Sequence, residues 1–182
     1  MTPPPAVPVP LLFDASPLLH AAKADRLDVL GDLVSGSSCL TTQAVIDEVG
    51  RRHPGARSEV VAAAWLTVVP TDSLMFLVAY GEWSARMGLD DDHNIGETTL
   101  CAYAELHGGV LVLDDKNARK VATQYGLSVR GTVGLIADAC GRGDCTVTGA
   151  SVLVDDLHES GMRLPFPKGG FEQWAREKKL LG

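Results

Sequence analysis

Asp14, Glu48, Glu97 and Asp115 are the side chains of this 182-residue sequence whose settings point to chemistry. Asp14 and Asp115 follow the apolar runs at 9–13 and 110–113, Asp114 standing between the second run and Asp115. Glu48 shares a helical stripe with Ala44, Val45 and Val49, and Glu97 shares one with Leu100, Cys101 and Ala104, so both turn toward the protein. Carboxylates gathered against apolar faces lose hydration and repel one another, and a cation has to compensate. Hard divalent ions such as Mg²⁺ and Mn²⁺ take oxygen ligands of this kind. One or two of them can activate water and stabilise both the attacking and leaving oxygens of a phosphodiester, so the pattern points to metal-dependent nuclease chemistry.

Plainer readings compete with this one. Asp14, Asp114 and Asp115 fit helix caps, and Asn94 with Glu97 fits a capping box. Glu48 fits a half-exposed pair with Arg51 or Arg52, and a helical phase shifted by one would put Asp47 in its place; Glu48 is preferred. Asp90, Asp91 and Asp92 read as a solvated loop, with Asp92 an outer-sphere candidate. The five histidines, His20, His53, His93, His107 and His158, lack ligand spacing, and the unclustered Trp65, Trp83 and Trp174 read as core or interface anchors rather than base platforms. Ser16 has no nucleophile-elbow setting, and by occupying the second position after Asp14 it leaves no second acid for a phosphoaspartate mechanism.

Positioning these acids requires strands that alternate with helices. The residues at 9–13, 39–40, 65–69, 110–113 and 127–130 read as strands, with 110–113 central because its run is continuously apolar. A helical stretch opens at Ser16-Pro17, and Thr41 or Thr42 caps the helix carrying Glu48, which breaks across 50–55. Further helices are expected at 56–64, 73–87, 95–106, 116–125 and 132–141, with two more in 151–182 split by Pro165 and Pro167. The expectation is an α/β sandwich with a mostly parallel sheet. A proline-rich arm at 1–10 precedes one domain at 11–150, and a helical extension at 151–182 packs on it.

Length and composition fit a single globular core, with 46% hydrophobic and 21% charged residues. No signal-peptide pattern and no apolar span of about 20 residues is evident, so a soluble, cytoplasmic protein is expected. Cys39, Cys101, Cys140 and Cys145 lack zinc-site spacing and read as reduced thiols. The net charge of −7 argues against a broad basic nucleic-acid surface. From 160 to 182, however, five cations against two acids give +3, and bound metal would supply the charge at the scissile phosphate. Lys116, Arg119, Lys178 and Lys179 are the candidate phosphate contacts.

Five segments, Leu12-Phe13-Asp14-Ala15-Ser16, the stretch 42–49, Gly96-Glu97-Thr98-Thr99, the stretch 112–119 and Gly131-Thr132-Val133-Gly134-Leu135-Ile136, resemble the successive motifs of PIN domains, in the family's order. The resemblance implies a three-layer α/β/α sandwich, a Mg²⁺ or Mn²⁺ site and ribonuclease activity on RNA, often as the toxin of a VapC-type toxin–antitoxin pair with a cognate antitoxin partner. By match, Asp14, Glu48, Glu97 and Asp115 would be the acidic ligands, with Ser16, Asp114 and Thr132 as polar companions. Glu97 stands where many members have Asp, and Leu113-Asp114 replaces the commoner Thr plus a small or polar residue. The Asp-Asp-Lys-x-Ala-Arg form and the long tail resemble a bacterial subgroup, and the tail fits a nuclease better than a toxin. PIN domains commonly dimerise, and the amphipathic tail offers apolar surface, so a homodimer is expected. The alternative is an inactive PIN-like module that holds RNA or protein.

Overall fold

The computed structural model describes residues 9–88 and 94–181. Its centre is a five-stranded, all-parallel sheet in the order β3-β2-β1-β4-β5, formed by β1 (Leu11–Phe13), β2 (Cys39–Thr42), β3 (Leu66–Val69), β4 (Val110–Val112) and β5 (Ser128–Arg130). The middle strand is β1, whose three residues are all buried; β4 lies beside it, also interior. The apolar runs are continuous because helices cover both faces, as parallel sheets require.

The chain first winds outward from β1 to β2 to β3 through α1 (Ala15–Lys23), α2 (Leu27–Leu33), α3 (Gln43–Arg52) and α4 (Pro54–Ala62). It then crosses back through α5 (Leu74–Met87) and α6 (Ile95–His107) to β4, and through α7 (Lys116–Gln124) to β5. With right-handed crossovers, reversing the direction of winding puts α1–α4 on one face and α5–α7 on the other, so the sandwich has three layers. The reversal falls between β1 and β4, and a crevice opens at the carboxyl ends of those strands.

After β5 come α8 (Thr132–Arg142), α9 (Val147–Glu159) and α10 (Phe171–Glu177). Polar bonds tie the end of α9 to α1: Arg26 Nε donates to Asp156 at 2.8 Å, Lys23 Nζ to the Ser160 carbonyl at 2.7 Å, and His20 Nδ1 lies 2.9 Å from Ser160 Oγ. The helix α9 starts at the Thr146 cap and runs across position 150.

Several element boundaries differ from the sequence expectation, each for a local reason. The stretch opened at Ser16 divides into α1 and α2 at Asp25, whose φ of 55° cannot continue a helix. Gly50 stays inside α3, and the break comes at His53, which ends α3 and whose Nδ1 accepts from the Ala56 amide to start α4. Asp90, Asp91, Asp92 and His93 lie outside the described residues, as do 1–8 of the proline-rich arm. Among the described residues no helix is long and apolar enough to cross a membrane.

Candidate functional site

Parallel pairing delivers the first two acidic segments to one place. Phe13 pairs with Val112, so Asp14 and the Leu113-Asp114-Asp115 segment leave the sheet side by side at the crevice. Thr41 Oγ1 donates to the Phe13 carbonyl at 2.9 Å and pins the end of β1 against β2. Glu48 and Glu97 arrive on helices that a buried hydroxyl chain holds together. Thr99 Oγ1 donates to the Gly96 carbonyl at 2.7 Å and lies 2.7 Å from Thr42 Oγ1, which also caps α3 by accepting from the Val45 amide. The first turns of α3 and α6 are thereby locked together; Glu97 lies in the first turn of α6, and Glu48 one turn further along α3.

The result is a three-acid cluster. One carboxylate oxygen from each of Asp14, Glu48 and Glu97 lies within 4.8 Å of the other two. Asp14 is 4% exposed and Glu97 8%, and Asp14 Oδ1 and Glu97 Oε2 are buried with no hydrogen-bond partner. Gly96 makes the approach possible. A Cβ there would sit 3.1 Å from Glu48 Oε2, 3.2 Å from Val45 Cγ2 and 3.5 Å from Asp14 Oδ1, inside the space the carboxylates use.

Electrostatics follow from that crowding. Burial, then the Glu97 and Glu48 charges, push the Asp14 carboxyl well above the ordinary carboxylate range, and the Ala15 amide opposes them only in part. Burial first and then the Glu48 and Asp115 charges raise Glu97, against its own backbone amide and Arg52. Two buried acceptor atoms without donors, facing a third carboxylate, make a donor set suited to a hard divalent cation.

The aspartates after β4 divide their work. Asp114 accepts from both the Thr132 amide at 2.9 Å and the Thr132 hydroxyl at 2.7 Å, which fastens α8 to the floor of the crevice; Thr132 is therefore a support for Asp114. Asp115 is exposed, and its Oδ1 caps α7 by accepting from the Ala118 amide at 2.8 Å. Sequence reasoning put Asp115 with the other three acids. The structure places it on the cleft wall, close enough to influence Glu97 and with Oδ1 at the helix start, while the acids that meet within 4.8 Å among the described residues are Asp14, Glu48 and Glu97.

The other plain readings separate in the same way. Asp14 makes no side-chain cap bond to α1, and Asn94, in the left-handed region at φ 66°, makes none to α6, so neither cap explains Asp14 or Glu97. Asp47 faces solvent with Gln43 and Arg57, which settles the helical phase in favour of Glu48. Glu48 does pair with Arg52 at 3.3 Å, so the ion-pair reading and the cluster hold together.

Around the acids lies a cleft of about 1260 Å³. Ser16, Lys116, Arg119 and Lys178 line it, whereas Lys179 does not. His20, Lys23, Arg52, Arg130, Arg163 and Trp174 also line it. These were not legible as site residues, since their placement depends on how α1, α3 and the tail meet rather than on any local pattern. Arg52 and Arg130 are paired with Glu48 and Asp138. Lys23, Lys116, Arg119, Arg163 and Lys178 form no salt bridge among the described residues, in a chain that is acidic overall.

A family model for the PIN domain matches residues 10–167. The chain belongs to the PIN-domain family. No curated protein and no solved structure shows a significant match to it. Membership accounts for the architecture, since the all-parallel sheet with helices on both faces is the PIN-like sandwich that the motif order implied. PIN domains are generally nucleases that use divalent metals, and this PIN domain has an acidic cluster of buried Asp14 and Glu97 with half-buried Glu48 that could hold such an ion.

Proposed function

We propose that this PIN domain is a Mg²⁺- or Mn²⁺-dependent endoribonuclease, acting on cytoplasmic RNA. The observation that carries the proposal is the cluster of Asp14, Glu48 and Glu97, in which Asp14 Oδ1 and Glu97 Oε2 are buried without a partner and Gly96 leaves room for Asp14 and Glu48. Burying such atoms without a partner is costly, and the arrangement makes sense as a ligand set.

In this reading Asp14, Glu48 and Glu97 hold the ion directly, and Asp115 adds negative charge from the cleft wall. A divalent ion there supplies Lewis-acid activation of water and of the phosphodiester. Thr132 keeps Asp114 in place, Ser16 offers a hydroxyl beside Asp14, and the unpaired Lys116, Arg119 and Lys178 hold phosphates flanking the scissile bond.

Incubating single-stranded and structured RNA with the protein, with and without Mg²⁺ or Mn²⁺, tests this. Metal-dependent internal cleavage that Asp14→Asn abolishes is expected. Cleavage that persists in EDTA or in Asp14→Asn would defeat the mechanism.

Two finer expectations belong to the same proposal. A cognate antitoxin would act by covering the cleft, and co-purification with a small partner encoded beside it would support that. A homodimer would use apolar surface that the structure offers on α5, where Leu74, Met75, Leu77 and Val78 are exposed, rather than on the tail, whose Phe171 and Ala175 are buried. Light scattering decides between monomer and dimer.

A further inference from the structure

The family match ends at residue 167, yet the cleft does not. Trp174 and Lys178, together with Leu180, carry its wall beyond that point. The helix α10 presents two faces. Phe171 and Ala175, four residues apart, are fully buried and anchor it. Trp174 sits between them in sequence but is only half-buried, and Lys178 follows it one turn later, exposed.

The three tryptophans are used differently. Trp83 is fully buried and donates from Nε1 to Glu105 at 2.8 Å, and Trp65 packs edge-on against Phe13 at 5.5 Å between ring centroids. Trp174 alone of the three lines the cleft, and Phe166 packs against it at 5.2 Å between ring centroids, with the ring planes inclined at 45°. Arg163 and Lys178 line the same cleft, Lys178 four residues after Trp174, and neither has a carboxylate partner among the described residues. An aromatic ring held on an anchored helix in a cleft that also presents unpaired cations is an arrangement suited to single-stranded nucleic acid. Its bases stack on the ring while its phosphates meet the cations.

We propose that α10 is a single-strand grip that this chain adds to the PIN domain: an unpaired base stacks on Trp174, and Arg163 and Lys178 hold the adjoining phosphates. The inference rests on the nuclease reading for its substrate class. It gives the tail a role in affinity and in selecting unpaired RNA, because a base inside a duplex does not present its face to a side chain.

The test uses the full chain in EDTA, where no cleavage occurs, with a fluorescent oligouridylate as the probe. Trp174→Leu should weaken binding by roughly 5- to 150-fold while leaving the salt dependence unchanged, and Trp174→Phe should retain most of the affinity. Lys178→Gln should lower the slope of log K against log salt by about 0.7, the loss of one phosphate contact on a single strand. A strand of abasic ribose phosphates should bind the unaltered protein weakly and be indifferent to Trp174→Leu.

Unchanged oligouridylate affinity in Trp174→Leu, at an unchanged melting temperature, would overturn the proposal. So would an equal loss for the abasic strand, or displacement of the probe by polyglutamate as readily as by unlabelled RNA, which would mark the wall as a site for an acidic protein. Mn²⁺-dependent cleavage with no Trp174→Leu effect removes the grip and leaves the nuclease reading. The Trp174→Leu effect without cleavage removes the nuclease reading and leaves the grip.

Discussion

Replacing Asp14 by Asn should make the metal-free protein more stable and the metal-loaded protein less so. In the absence of metal, Asp14 Oδ1 is buried without a donor and faces Glu48 and Glu97. A buried acceptor left unpaired costs about 1–3 kcal/mol. Asn removes one of the crowded charges and brings an amide that can donate to either neighbouring carboxylate. For a chain of this size 1 kcal/mol corresponds to about 2–4 °C in Tm, so Asp14→Asn should melt about 2–12 °C higher in EDTA.

Saturating metal reverses the order. An ion at 100 times its Kd stabilises the native state by about 2.7 kcal/mol, which is about 5–11 °C on the same scale, and the variant lacking a charged ligand should lose most of it. Differential scanning fluorimetry of both proteins across a Mn²⁺ titration measures the two effects together. If Asp14→Asn melts lower than the unaltered protein in EDTA, or if Mn²⁺ shifts both proteins equally, the acids are not a strained ligand set and the reasoning fails.

Other consequences follow from the same geometry. Gly96→Ala should gain helix propensity, about 1 kcal/mol, and give part of it back to the 3.1 Å and 3.2 Å contacts, leaving Tm within a few degrees. Because the methyl pushes on Glu48 and Asp14, Mn²⁺ affinity by calorimetry should fall at least about tenfold, in the range seen when ligand support is lost; unchanged affinity would mean Gly96 is not needed for the cluster. The pH dependence has a definite sign. Asp14 and Glu97 are raised in the folded state, so their contribution is fully present below the ordinary carboxylate range of about pH 4 and is lost as pH rises through the raised values. In EDTA this part of the stability should therefore decline with rising pH, and the decline should flatten in Asp14→Asn or with Mn²⁺; identical pH–Tm curves for the two proteins would contradict it. Thr132→Val removes one of the two bonds to Asp114 and should cost about 1.5 kcal/mol, roughly 3–6 °C by melting, with a loss of cleavage beyond the loss of fold; full activity would show that the β4–α8 tie is dispensable.

The strands around Asp14 and Asp115 were legible because parallel strands covered on both faces must be apolar along their length, and both acids stand just past such runs. Glu48 and Glu97 were legible for a related reason, since the apolar stripes beside them fix which side of each helix faces inward. The break expected across 50–55 falls at His53, and Gly50 at the start of that range still lies inside α3. Central status was assigned to β4, but β1 takes the middle: both strands are equally apolar, and strand order depends on crossovers that no single segment encodes.

Residue types and spacing by themselves determined the alternation of strands and helices, the four acids worth examining and the family motifs, because these depend on local periodicity and on chain direction. Only the tertiary structure decided which oxygens meet. It joined Asp14, Glu48 and Glu97 through the Thr42–Thr99 hydroxyl pair and the bare Cα of Gly96, gave one oxygen of Asp115 to a helix cap, and carried Trp174 and Lys178 from the tail to the cleft. Distances of a few ångströms between residues far apart in sequence are set by packing of whole elements, and no local pattern records them.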